Sequence, residues 1–70
     1  QSFERQARKR LMVLHAAPSL EALMRNPGNQ CHALSGYRKG QYAIRINKQW
    51  RVCLEWQDGN AYRVEIIDYH

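Results

Sequence analysis

The sequence predicts an α+β domain in which two N-terminal helices pack on one face of a small antiparallel β-sheet. Three observations carry this. Apolar residues near the N-terminus recur at helical spacing. Breakers follow at Pro18 and at Asn26-Pro27-Gly28-Asn29. From Tyr42 onward the apolar period changes to two.

The 70 residues suffice for one domain, spanning 1–70, with a small core. That length excludes an enzyme that must enclose a large cofactor, and no cofactor is expected. At 44% hydrophobic and 24% charged, the composition is that of a folded domain, not a disordered chain. The longest apolar run, Leu11 to Leu14, has four residues, whereas a membrane span needs about 20. No membrane partner and no secretory leader are expected, and the cytoplasm is the expected location. The chain starts at Gln1 rather than Met, so a trimmed or incomplete chain is expected.

Phe3, Ala7, Leu11 and Leu14 fall on one stripe of a helix over residues 2–15. Ser2 suits its cap, and Glu4 suits the positive end of the dipole. His15 falls at its C-terminal end, where a cation is favoured. Pro18 stops this helix, and Ser19 caps a short second one, Leu20 to Met24. Cys31 to Ser35 offers a further short strand. Tyr42, Ile44 and Ile46 alternate with polar or small residues, as do Trp50, Val52, Leu54 and Trp56, and then Tyr62, Val64 and Ile66. These are three half-buried strands joined at Asn47-Lys48-Gln49 and Asp58-Gly59-Asn60.

Register follows from the pattern. A three-residue loop at 47–49 pairs Ile46 with Trp50, Ile44 with Val52 and Tyr42 with Leu54. A one-residue slip would set apolar against polar along the whole hairpin. The same logic pairs Trp56 with Tyr62, Leu54 with Val64 and Val52 with Ile66. One face is then wholly apolar and packs on the helices. The other carries Arg45, Arg51, Arg63, Glu55 and Glu65, with Glu55 opposite Arg63 and Arg45 opposite Arg51. The first pair is favourable and the second unfavourable. An anion between the two guanidiniums would resolve the conflict, since a planar fork matches phosphate oxygens. The plain alternative is that both side chains splay into solvent.

The net charge of +5 is unevenly spread. It is +2 over residues 1–21, +6 over 22–54 and −3 over 55–70. Between Ala22 and Leu54 there are Arg25, Arg38, Lys39, Arg45, Lys48 and Arg51, and no acid. Such a block suits an anionic partner, with nucleic acid the default and an unliganded solvated face the alternative. Arg38, Lys39, Arg45, Lys48 and Arg63 are the expected RNA contacts.

Cys31 and Cys53 are expected to be free thiols. Cys31-His32 has no second ligand pair, so no metal site is assigned. His32 precedes the basic block, and His70 ends the chain after the last strand. A free imidazole titrates near pH ~6.5, which suits acid or base work at neutral pH. Cleaving RNA without metal needs a base for the 2′-hydroxyl, cations for the crowded phosphate and an acid for the leaving 5′-oxygen. His32, His70 and the arginines supply groups of these types.

Three segments resemble the HigB branch of the RelE-like toxins: Gly40-Gln41-Tyr42-Ala43-Ile44-Arg45-Ile46-Asn47, Gln49-Trp50-Arg51-Val52, and Val64-Glu65-Ile66-Ile67-Asp68-Tyr69-His70. His32-Ala33-Leu34-Ser35-Gly36 and Pro27-Gly28-Asn29 fit the same pattern. The resemblance covers essentially the whole chain. It implies a RelE-like fold and a ribosome-dependent endoribonuclease that cuts mRNA in the decoding site. It also implies inhibition by a cognate helix-turn-helix antitoxin of the HigA type, through which alone operator DNA is reached. By position, His32, Arg51, Asp68, Tyr69 and His70 match the family's functional residues. Arg51 would stabilise the phosphate in the transition state. His70 and His32 would be acid and base, or groups that orient substrate, and Tyr69 would stack on a base. Two departures stand out. Ser35 replaces a lysine counted among the active groups of some relatives, so either Arg38 or Lys39 supplies that charge or activity is weaker. The family's extra N-terminal strand is missing, which would expose a sheet edge if it is deleted.

Overall fold

The computed structural model describes residues 3–68. Helix α1 spans Phe3–Ala16 and α2 spans Leu20–Arg25. Strands β1 (His32–Ala33), β2 (Gln41–Arg45), β3 (Trp50–Gln57) and β4 (Asn60–Asp68) form one antiparallel sheet in the order β1-β2-β3-β4. Ser2, Tyr69 and His70 lie outside the described residues. No helix among those described is long and apolar enough to cross a membrane.

Local chemistry sets the boundaries. Ser19 caps α2 by accepting a hydrogen bond from the Ala22 amide at 3.1 Å. Asn26 accepts from the Gly28 amide at 2.9 Å and opens the 3₁₀ turn Pro27–Asn29. Asn29 is buried and satisfied. Its Nδ2 donates to the Leu23 carbonyl at 3.2 Å, and its Oδ1 accepts from Arg10 at 3.4 Å.

The core joins Ala7 and Leu14 of α1, Leu23 of α2, and Ile44, Ile46, Val52 and Leu54 of the sheet. Phe3 stacks obliquely on Trp50, ring centroids 5.3 Å apart. The expected apolar stripe of α1 is only half used, because Phe3 and Leu11 remain substantially exposed. The sheet's apolar face is likewise not wholly covered. The helices bury Ile44, Val52 and Leu54 on β2 and β3, but Val64 and Ile66 on β4 stay exposed at its rim.

The β2–β3 register is as the pattern predicts: Tyr42 faces Leu54, Ile44 faces Val52 and Arg45 faces Arg51. The β3–β4 register holds only in part. Val52 faces Ile66, but beyond a bulge Glu55 faces Tyr62 and Trp56 faces Ala61. The expected pairs Trp56–Tyr62 and Glu55–Arg63 are therefore displaced by one residue. The cause is the turn. Asp58 (φ 53°) and Gly59 (φ 80°) form a two-residue turn with both centres left-handed, which forces Gln57 opposite Asn60. A three-residue loop at 58–60 was the expectation. The apolar pattern demands the neighbouring register, and Arg63, itself at φ 51°, absorbs the difference. Tyr62 is thereby turned to the face of Glu55 instead of the helix side.

Candidate nucleic-acid interface

On the sheet face away from the helices lie Gln41, Ala43 and Arg45 of β2, Arg51, Cys53 and Glu55 of β3, and Glu65 and Ile67 of β4, by strand alternation. This face is not uniformly open. Ala43 and Cys53 are fully buried. Arg38, from the 3₁₀ turn Gly36–Arg38, crosses it and donates to Gln41 Oε1 and to Glu65 Oε1, both at 3.0 Å. The Glu65 bond pushes the Arg38 guanidinium further up, so it stays charged. Burial pushes the thiol of Cys53 up, and also that of Cys31. Both cysteines are free and stay protonated at neutral pH, the unreactive form.

Arg45 and Arg51 face each other as expected, and they do not splay apart. Both converge on the main-chain carbonyl of Asn47, Arg45 Nε at 3.2 Å and Arg51 Nη1 at 2.7 Å. A neutral acceptor thus holds two like charges side by side. Asn47 was not foreseen as a site residue. Its Oδ1 accepts from the amides of Gln49 and Trp50 at 2.9 and 3.0 Å, closing the β2–β3 loop. Its Nδ2 donates to Gln6 of α1 at 3.1 Å. The available signal was an Asn at the first position after a strand, a residue type that bonds its own downstream backbone.

His32 faces Ala43 on β1, with its Nδ1 3.3 Å from the Gln30 carbonyl. It is exposed and lies two strands from Arg51, level with Cys53 and so two residues further along, a spacing of about 12 Å. Asp68 faces Trp50 at the end of β4 and accepts from Gln49 Nε2 at 3.2 Å. Across the sheet, His32 and Asp68 are on opposite outer strands, with Arg51 between. Ser35, Tyr37, Arg38, Ile67 and Asp68 line an open cleft of about 400 Å³. Tyr37 is 98% exposed at its lip, a second residue that the sequence did not single out. Lys39 and Lys48 are exposed. Arg63 is also exposed, and its Nε lies 3.6 Å from Glu55 Oε2, so that expected pair survives the bulge as a loose contact.

The whole chain, residues 1–70, matches the model of a family described as the RelE-like toxin of type II toxin–antitoxin system HigB. The chain belongs to that family. It is 40% identical over 60 residues to Toxin HigB-1 of Vibrio cholerae serotype O1, covering 86% of this chain and 63% of that protein. It is 31% identical over 61 residues to Endoribonuclease HigB of Proteus vulgaris, covering 87% of this chain and 65% of that protein. The chain thus spans a little under two thirds of these curated relatives. The α+β architecture, one helix layer on a four-stranded antiparallel sheet, is consistent with the RelE-like fold.

Proposed function

We propose that this chain acts as a ribosome-dependent endoribonuclease toxin that cuts mRNA, needs no metal and is silenced by a HigA-type helix-turn-helix antitoxin in the cytoplasm. Operator DNA would be reached only through that antitoxin. The observation that carries the reading is the convergence of Arg45 and Arg51 on one carbonyl at the open sheet face. Two guanidiniums held in place before substrate arrives offer preorganised stabilisation to a phosphate gaining charge. The Proteus relative, named an endoribonuclease, supports the same chemistry.

The assigned parts are these. Arg51 meets the scissile phosphate. Asp68 ends β4, the strand beside it, and His70 exchanges the proton with the 2′-hydroxyl or the leaving 5′-oxygen. His32 is about 12 Å from Arg51, too far to share one hydrogen bond but close enough to orient the same RNA strand. Tyr69 stacks on a base. Arg38, Lys39, Arg45, Lys48 and Arg63 contact the backbone.

The test is cleavage of mRNA on programmed ribosomes, with the ends mapped. The reading requires new 5′-hydroxyl ends and 2′,3′-cyclic phosphates. Arg51→Ala should cut the rate by about 10²–10³-fold, the usual scale for removing one transition-state donor, with an unchanged melting curve. Intact mRNA in the presence of the folded chain would refute it. One observation favours a second reading, a weakly catalytic ribosome-binding module acting mainly as co-repressor. Ser35 carries no charge, and its neighbour Arg38 is committed to Glu65. Wild-type ribosome binding without cut ends would select that reading.

A further inference from the structure

Where α1, the 27–29 turn and the β2–β3 loop meet, there is an open concavity of about 310 Å³. Arg10 of α1 and Arg45 and Lys48 of the β2–β3 hairpin line it, with Gln30 and Asn47 between them. No acid lines it. The acceptors its arginines find are neutral: Arg45 Nε holds the Asn47 carbonyl at 3.2 Å, and the other two are longer. Arg10 Nη1 reaches Asn29 Oδ1 at 3.4 Å, and Arg45 Nη1 reaches Gln30 Oε1 at 3.5 Å. Charge-assisted bonds to an anion close to about 2.7–2.9 Å, so these contacts would yield to one. Gln30 adds a second sign. It sits at φ 46°, ψ 47°, a left-handed conformation that a non-glycine residue adopts at a cost. That conformation belongs to the turn carrying its amide into the cluster.

Three cations gathered without an acid repel one another, and a small core has little stability to spare for that. A group with several acceptor oxygens pointing in different directions would satisfy all three. A carboxylate offers two oxygens in one plane, whereas a phosphodiester offers acceptors on a tetrahedral centre. The concavity also adjoins the proposed site, because Arg45 and Arg51 share the Asn47 carbonyl.

We propose that the Arg10–Arg45–Lys48 concavity is a phosphate-binding subsite that holds a backbone phosphate of the RNA next to the one at Arg51. Its RNA assignment rests on the endoribonuclease reading, while the subsite itself rests on its own geometry. Arg10 is then a positioning residue, on a helix with no part in the chemistry.

Inorganic phosphate titrated into the full chain, followed by amide resonances, tests the subsite without any activity. Saturable shifts at Gly28, Gln30, Asn47 and Lys48 are expected, weakened about tenfold by Arg10→Gln and largely kept by Arg10→Lys. In ribosomal mRNA cleavage, Arg10→Gln should raise KM about tenfold with little change in kcat. It should also flatten the slope of log KM against log salt by about 0.7, the loss of one single-strand phosphate contact. Absence of saturable shifts at these amides, or an unchanged KM and salt slope, would overturn the subsite. Acetate binding the same amides as tightly as phosphate would overturn it in favour of an acidic protein partner. Phosphate binding there with no cleavage by the parent chain would sink the endoribonuclease reading and leave the subsite standing.

Discussion

The two hairpins share β3, yet one keeps its register throughout and the other breaks it. In β2–β3 the loop and the apolar pattern ask for the same pairing. Asn47 closes three residues of loop with its own side chain, and every pair from Arg45–Arg51 to Gln41–Glu55 follows in step. In β3–β4 the two demands differ by one residue. Asp58-Gly59 is a strong two-residue turn, the pattern wants three, and the strand resolves the conflict with a bulge at Arg63. Alternation therefore decides a register only where turn chemistry agrees with it. The difference extends to burial. Ile44, Val52 and Leu54 are sealed, whereas Tyr62, Val64 and Ile66 of β4 are exposed.

The largest effect should separate the hairpins by core contribution. Ile44 is fully buried and Ile66 is 38% exposed, each facing Val52 from an opposite side. Ile44→Ala should cost about 2–5 kcal/mol, a large part of what a chain this short possesses. Ile66→Ala should cost less than half as much. Urea midpoints measure both, and equal losses would show that β4 is packed as tightly as β2.

Turns come next. Asn47→Ala removes an acceptor for two amides and a donor to Gln6, so a loss of about 1–2 kcal/mol is expected. Asn47→Asp keeps the acceptor and should recover most of it. The Asn47 carbonyl remains in both variants, but the loop that aims it at Arg45 and Arg51 loosens in the first. RNA cleavage by Asn47→Ala should therefore fall further than its folded fraction does. Loss in strict proportion to unfolding would show that the carbonyl's position is independent of the side chain.

What could be read from the sequence follows the same division. The Ser19 cap, the break at Pro27-Gly28 and the Arg45–Arg51 juxtaposition depend on neighbours within a few residues or on one unbroken ladder, and each is visible as a pattern. The bulge depends on a competition between two local rules, and no pattern states which wins. Burial of Ala43 and Cys53 on the polar face depends on Arg38 reaching across two strands to Glu65, a contact 27 residues apart in the chain. The spacing of His32 from Arg51 depends on strand order. The Arg10 concavity needs α1 laid against a loop far downstream, as the Asn47–Gln6 bond, 41 residues apart in the chain, shows. Charge counting found the cations, but only the fold shows which of them meet.

A change of turn type at constant length tests the competition directly. Asp58→Pro with Gly59→Asp and Asn60→Gly forbids the left-handed first position of the present turn and supplies glycine at the third, giving the three-residue loop over 58–60 that the apolar pattern wants. Glu55 should then face Arg63, Tyr62 should return to the helix side, and Arg63 should leave the left-handed region. The net change in stability should stay within about 1 kcal/mol, since a favoured turn is lost as strain is relieved. Cross-strand contacts between the α-protons on either side of the ladder report the register. A bulge that persisted in this variant would place its cause in packing beneath β4, not in the turn.

The smallest effect concerns the residue that carries the misfit. Arg63 holds φ 51° without being a glycine, which costs about 1 kcal/mol, and its contact with Glu55 is 3.6 Å long with the Arg63 side chain 80% exposed. So open a pair is screened by solvent and contributes little. Arg63→Gly would relieve the strain, lose the weak pair, and lose some stability through the freer unfolded chain. Relief should win by a few tenths of a kcal/mol, read as a small rise in melting temperature. Glu55→Gln serves as the control, because it removes the pair and keeps the strain. If Arg63→Gly instead lowers the melting temperature while Glu55→Gln leaves it unchanged, the left-handed residue is not strained, and the bulge is the conformation β4 prefers.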